Sequence, residues 1–241
     1  MQSEEIRARM AENVAQIRQK MAEAAKEAGR DPAEIRLCAA CKTRTVEEVR
    51  ASADLAIDLF GENHVQELVE KTDAGAYAGK PGHFIGHLQT NKVNKVVGRA
   101  AMIESVDSAR LLDKVARAAA GRGLVQDILI EINIGEEASK SGVREDDLWA
   151  LLEDAAARPS VRLRGLMAIP PAEATPDETR AFFARMRELL AKAAGRHYEN
   201  AVMDTLSMGM SGDYPAAIRE GATIVRIGTA IYGARDYSKK G

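Results

Sequence analysis

Lys42 follows directly on an apolar run at residues 37–41. Burial at the edge of such a run disfavours an ammonium, lowers its pKa and frees a nucleophilic amine for Schiff-base chemistry. The alternative is a lysine whose stem snorkels past the strand end into solvent. A second constellation lies near the C-terminus, where Arg226 is followed by Gly228 and Thr229, and Ser207 and Ser211 frame the turn SMGMSGD. Glycine permits close backbone approach, and adjacent amides with a threonine and a serine hydroxyl can cradle an anion such as phosphate. The same turn is also readable as a helix start capped by Ser211 or Asp213.

Three tempting motifs fail on spacing. Cys38 and Cys41 spell C-x-x-C, but on a strand residues three apart point to opposite faces about 10 Å apart, too far for a disulfide. His83 and His87 have the i, i+4 spacing of zinc ligands, yet Phe84-Ile85-Gly86 between them reads as a strand end, and no HExxH pattern accompanies them. The stretch GEEASKS at residues 135–141 lacks the second glycine of a phosphate-binding P-loop, and Glu136 and Glu137 would repel phosphate.

The elements that must position Lys42 and Arg226 form a rhythm. An opening helix over residues 4–29 carries one apolar stripe, Ile6, Met10, Val14, Ile17 and Met21, and stops at Gly29 before Asp31-Pro32. Short apolar runs follow at 35–41, 55–60, 83–85, 102–105, 128–134, 163–167, 205–208 and 224–227. Longer amphipathic stretches separate them, notably 108–120, 145–158, 177–194 and 213–221. Eight alternating strand–helix units imply parallel pairing with right-handed crossovers and fit a single (β/α)8 TIM barrel over residues 1–241, with residues 1–30 as an extra helix packed on it. An open doubly wound sheet is the competing architecture, but its usual glycine-rich first turn is replaced here by CKTRT. Barrels place their chemistry at the C-terminal strand ends. That is where Lys42, Asn63, His87, Asp107, Asn133, Pro170, Ser207 and Arg226 fall.

Composition narrows the class. The 241 residues hold 34 Lys+Arg against 36 Asp+Glu, a net charge of -2, and only 4% aromatics, which argues against nucleic acid as a partner. Hydrophobic residues at 46% and charged residues at 29% describe an ordinary folded protein. No window reads as a membrane span, the N-terminus lacks a signal-peptide layout, and two cysteines make no disulfide scaffold, so the expected compartment is the cytoplasm.

Together the segments CKTRTVEEV, FGENHVQE, HFIGHLQTNK, INIGEEASKSGV, LRGLMAIPP and LSMGMSGDYPAAIREGATIVRIGTAIYGARDYS make a specific set covering nearly the whole chain. The chain resembles the pyridoxal-phosphate homeostasis proteins, which share the barrel of alanine racemase's N-terminal domain. The family's usual serine before the lysine and proline shortly after it are replaced here, by Cys41 and Thr45. The resemblance implies pyridoxal 5'-phosphate (PLP) as cofactor, Lys42 as its Schiff-base lysine, and Ser211, Gly228 and Thr229 as phosphate holders with Ser207 nearby. It further implies that Arg226 faces the pyridine nitrogen, that Asn63 lines the pocket, and that Met167 packs near the ring.

Two functions then compete. One is a carrier that holds PLP and releases it to apo-enzymes. The other is an amino-acid racemase, which needs a second acid/base opposite the lysine. Alanine racemases take that group, a tyrosine, from a partner subunit's β domain. This chain runs only about a dozen residues past its last strand, so that domain is expected to be absent and the protein to be a monomer. Tyr232 and Tyr237 lie beyond that strand, and Tyr214 follows the phosphate turn. Tyr232 and Tyr237 cannot be assigned the role, and Tyr214 is only a remote candidate for it. The expectation is a carrier with little or no turnover; a barrel without a ligand leaves the Lys/Arg/Ser/Thr cluster unexplained.

Overall fold

Short β-prone runs separated by amphipathic helices cannot pair as hairpins, so each strand must return parallel to the last. The computed structural model describes residues 2–137 and 140–233. Its strands are β1 (Arg36–Ala40), β2 (Leu59–Glu62), β3 (Gly82–Phe84), β4 (Met102–Val106), β5 (Gln126–Ile132), β6 (Val161–Ala168), β7 (Ala201–Ser207) and β8 (Ile224–Ile227). All neighbours are parallel, and β8 returns to β1, closing the barrel in chain order. The helices are α1 (Gln2–Glu27), α2 (Val46–Ser52), α3 (Val65–Asp73), α4 (Val93–Val96), α5 (Ala109–Ala120), α6 (Glu145–Ala156), α7 (Pro176–Ala194), α8 (Tyr214–Arg219) and α9 (Thr229–Tyr232). Among the described residues no helix is long and apolar enough to cross a membrane.

The N-terminal helix buries Met10, Val14, Ile17 and Met21 as its stripe requires, whereas Ile6 at the free end is exposed. Asn13 Nδ2 donates to the Ile231 carbonyl at 3.0 Å, tying the helix to α9, and Arg18 donates to the Ala56 carbonyl at 2.8 Å. Gly29 ends the helix with φ of +68°, a conformation that costs other residues about 1–2 kcal/mol. Helix starts are equally well specified: Thr45 and Thr175 form capping boxes with Glu48 and Glu178, and Ser108 caps α5.

Two strands differ from the sequence reading. The apolar stretch 55–57 is a turn, because the Leu55 and Ile57 amides bond back to Ser52 and Leu55. The strand starts instead at Leu59, after the Asp58 carboxylate has accepted the Leu37 amide at 2.6 Å. Leu55 and Ile57 are apolar because they pack on the core, not because they pair. Conversely, β7 begins four residues before the apolar run, at Ala201. Its exposed Val202 and Asp204 masked it, since Asp204 takes Arg164 in an ion-pair ladder that continues through Asp127 to Arg162 at the N-terminal end of the barrel.

The barrel interior is filled in part by apolar side chains and in part by polar ones: His83, Glu104, Glu131, Ser207 and Arg226 are all buried. Cys38 points inward with Leu59 and Ile224, while Cys41 belongs to the outer core, so the two free thiols face opposite sides of β1. On that outer side Lys71 of α3 donates to both oxygens of Glu62, at 2.9 and 3.1 Å, and both side chains are almost fully buried. Burial pushes the Glu62 carboxyl up to about 7 against the pull of Lys71. Burial also disfavours the Lys71 ammonium, but the attraction of Glu62, Cys41 and Glu67 outweighs it and holds the proton more tightly than usual. Lys71 is therefore the fixed charge, and Glu62 the group that changes charge near neutrality.

Replacing Lys71 by Met removes the counter-charge, and breaking such a pair costs about 3–5 kcal/mol when the partner stays ionised. In the variant Glu62 titrates above about 7, further from its unfolded value, so the native state holds a proton that the unfolded chain has lost and stability falls as pH rises. Urea denaturation of Lys71→Met and wild type should accordingly show a stability gap that is small near pH 6 and widens toward pH 8.5.

Candidate functional site

Lys42 is two residues beyond Ala40, the last residue of β1, and both side chains line one cavity of about 260 Å3 at the C-terminal mouth of the barrel. Asn63 enters from the end of β2, Ser211 from the loop after β7, and Arg226, Gly228 and Thr229 from β8 and its exit. Six of the eight sequence-selected residues thus share one cleft. Met167 and Ser207 do not line it: Met167 is buried below with Met102 and Leu129, and Ser207 lies beneath Arg226. The apolar wall comes instead from Ile85, Ile169 and Met210, and Arg44 closes the rim. Ile169 stands two residues past Met167 on the same extended run, so it takes the exposed position of that face.

The anion-cradle and helix-cap readings of the 207–213 turn are separated by geometry. Neither Ser211 nor Asp213 caps α8: Asp213 Oδ1 accepts the Met210 amide at 2.5 Å and closes its own turn. Ser211 Oγ accepts the Ala230 amide at 3.4 Å, so its hydroxyl sits against the first turn of α9, beside Thr229. A Cβ on Gly228 would lie 2.9 Å from the Ala40 carbonyl oxygen, which leaves only glycine where the chain crosses between β8 and the cleft. Across the mouth, a Cβ on Gly86 would meet the Asn63 carbonyl at 2.2 Å, so the loops after β2 and β3 touch backbone to backbone.

The floor of the cleft is a chain of buried charges. Arg226 donates to the Ala168 carbonyl at 3.0 Å and to Ser207 Oγ at 2.7 Å; Ser207 donates on to Glu104 at 2.5 Å; Glu104 meets His83 Nδ1 at 2.6 Å. Burial would raise the Glu104 carboxyl, but the His83 contact, Arg226 and Ser207 together outweigh it and hold it below the usual carboxylate range. Glu104 therefore stays ionised and balances Arg226 through one hydroxyl. Sequence reasoning missed Glu104 and His83 as site residues; the available signal was a carboxylate inside the apolar run MIESV. His87, by contrast, is exposed and lies 3.6 Å from Asp107, whereas His83 meets Glu104.

Chemically, the cleft offers a lysine amine, a guanidinium locked from below, two hydroxyls, a close-approach glycine and apolar walls. That donor set fits a flat ring bearing a carbonyl toward Lys42 and an anion toward Ser211, Gly228 and Thr229. Neither Tyr214 nor Tyr232 lines the cleft: the Tyr232 hydroxyl meets Ser52 Oγ at 3.0 Å between α2 and α9, and Tyr214 is buried beside Gly209. Tyr237 lies outside the described residues.

Residues 7–236 match the family described as alanine racemase, N-terminal domain. The pyridoxal phosphate homeostasis protein of Aquifex aeolicus is 40% identical over 226 residues, covering 94% of this chain and 98% of that protein. Its Escherichia coli K12 counterpart is 42% identical over 234 residues, covering 96% and 99%. The chain belongs to the pyridoxal phosphate homeostasis protein family. Among solved structures, PipY of Synechococcus elongatus with PLP bound superposes with a TM-score of 0.81 at 32% identity, covering 93% of this chain and all of PipY. Alanine racemase of Corynebacterium glutamicum, at 19% identity and TM-score 0.69, shares the barrel; the match covers 95% of this chain and 62% of the racemase.

In this family member the Ser207 hydroxyl bridges Arg226 and Glu104, the one such bridge among the described residues. Ser207→Ala leaves two buried charged groups each short of a partner, a loss of about 1–3 kcal/mol. Chemical denaturation at pH 7 should register that loss; an unchanged midpoint would mean that Arg226 is held by Ala168 alone.

Proposed function

We propose that this chain is a PLP-binding protein of intracellular PLP homeostasis, one barrel over residues 1–241 that holds the cofactor on Lys42 and releases it to apo-enzymes. The observation that carries the reading is the convergence of Lys42, Arg226, Ser211 and Thr229 on one cavity at the barrel mouth. The homeostasis proteins at 40% and 42% identity and PLP-bound PipY support it. When bound, PLP supplies an electrophilic aldehyde and an electron-withdrawing ring.

Lys42 holds the aldehyde as a Schiff base: its amine nitrogen forms a bond to the aldehyde carbon, and the aldehyde oxygen leaves as water. Release is the reverse hydrolysis. Ser211 and Thr229 donate hydroxyls to the phosphate, Gly228 lets the backbone approach it, and Asn63 lines the side of the cleft. Ile169 takes the ring contact that the family resemblance assigned to Met167, because Met167 is sealed beneath. Arg226 presents only donors to the pyridine nitrogen, since a guanidinium cannot accept a hydrogen bond. It therefore keeps that nitrogen unprotonated and weakens the ring as an electron sink. This electronic bias, the commitments of Tyr214 and Tyr232 away from the cleft, and the relatives' names support a carrier with little or no turnover. We further propose a cytoplasmic monomer.

The purified protein with PLP should show a visible band that disappears in Lys42→Ala, and borohydride reduction followed by peptide mapping should find the adduct on Lys42. An adduct confined to Lys140 or another lysine overturns the assignment. Ser211→Ala should weaken PLP retention by about ten- to a hundredfold, the value of one hydroxyl donated to a charged acceptor. Gly228→Val should do worse, because its side chain must displace the Ala40 carbonyl as well as the phosphate. Incubation with L-alanine in deuterated water should give at most trace α-proton exchange; turnover of about 1–10³ per second that is lost in Lys42→Ala would instead make it a racemase.

A further inference from the structure

The peptide groups on either side of Lys42 are bonded to a single ion cluster behind the barrel wall. Lys71 of α3 donates to the Cys41 carbonyl at 2.8 Å, and at 3.3 Å to Glu67 Oε2. That same Glu67 oxygen accepts the Thr43 amide at 2.9 Å. The carbonyl of the residue before Lys42 and the amide of the residue after it thus converge on two side chains one helical turn apart. Glu62, at the end of β2, anchors Lys71 from the other side, and Tyr77 donates to Glu62 at 3.3 Å.

The segment needs such an anchor. Thr43 has φ of +66°, a left-handed conformation that a β-branched residue adopts only under constraint, at a strain that must be offset by its surroundings. The turn it makes carries the chain from the strand toward Thr45 and α2. The Arg44 amide closes this turn on the Cys41 carbonyl at 3.1 Å, so Lys42 projects from the turn itself. Cys41 packs in the outer core and the Lys42 side chain is a wall residue of the cleft, so fixing the peptides on both sides of Lys42 fixes the turn that presents it there.

We propose that Glu67 and Lys71 are positioning residues for Lys42, clamping its flanking peptides so that the amine is delivered to the cofactor's aldehyde. The proposal rests on Lys42 being the covalent anchor. A cluster that only stabilises the barrel would change the folding midpoint and leave Lys42 chemistry alone.

Three full-length variants separate these roles. Glu67→Ala removes the Thr43 acceptor from a side chain that is about a quarter exposed, so it strips an outer member of the cluster and not its core pair. Glu67→Gln keeps an acceptor at that place. The pair Glu62→Gln with Lys71→Met removes both buried charges together. Amide exchange at Thr43 is read without PLP; with PLP, the borohydride-trapped fraction at Lys42 and the pH midpoint of the visible band are read at equal cofactor. Glu67→Ala and the double variant should speed Thr43 exchange and lower the affinity measured by trapping by about tenfold or more, as loss of a charge-assisted bond would. The band's midpoint should move with it, and Glu67→Gln should stay near wild type on all three readings. Wild-type trapping and midpoint in Glu67→Ala and in the double variant overturn the clamp, even if their folding midpoints fall. Wild-type protein labelled at a lysine other than Lys42 overturns the covalent reading and the clamp with it; wild-type label on Lys42 with unaltered variants overturns the clamp alone.

Discussion

A guanidinium buried inside a closed barrel is tolerable only if its charge is answered there, because burial strips it of hydration. Arg226 is answered by Glu104 through Ser207, and Glu104 in turn by His83. These four residues sit on β8, β7, β4 and β3, so the chain of hydrogen bonds crosses the barrel from one neighbouring pair of strands to another. Everything above it depends on the result. The head of Arg226 is fixed from below by Ser207 and Ala168, which leaves its remaining donors to face the cleft.

A second ionic cluster lies on the other side of the wall, and the two do different work. The interior chain sets the electrostatics of the cleft floor. The outer cluster of Lys71, Glu62 and Glu67 holds backbone, namely the Cys41 carbonyl and the Thr43 amide. Both use buried carboxylates, yet their environments push the proton affinities apart. Glu104 is held low by His83, Arg226 and Ser207, whereas Glu62 is driven up to about 7 by burial that Lys71 only partly offsets. Burial raises both carboxyls; at Glu104 the His83 contact, Arg226 and Ser207 together outweigh it, whereas at Glu62 Lys71 and the Cys41 thiol do not, and the nearby Glu67 carboxylate adds to the rise.

The cleft itself is built by close approach more than by large side chains. Gly228 passes the Ala40 carbonyl and Gly86 passes the Asn63 backbone, each at a distance no Cβ allows. These contacts bring the exits of β8 and β1, and of β3 and β2, together at the mouth. A flat ligand of modest size suits such a space, whereas bulkier residues at either glycine would splay the loops that define it.

Much of this was legible in the chain. Alternating short apolar runs and amphipathic stretches determine the order and number of the strand–helix units, since period and length discriminate strands from helices. The strand ends likewise picked out Lys42, Asn63, Ser211, Arg226, Gly228 and Thr229, and these residues do line one cleft. Where hydrophobicity and pairing diverge, the reading failed: Leu55 and Ile57 are apolar in a turn, and the start of β7 is exposed. Depth within the barrel was also decided only in three dimensions. Met167 and Ser207 stand at strand ends like their neighbours, but the stagger of parallel strands sets them a layer below the cleft and brings Ile169 up to it. The partners of the buried charges were beyond reach for the same reason. Ser207 and Glu104 are 103 positions apart, and Lys71 and Cys41 are 30, so no local pattern joins them. A single sequence records which residues are charged and which runs are apolar; only barrel closure decides which charges must answer one another once buried.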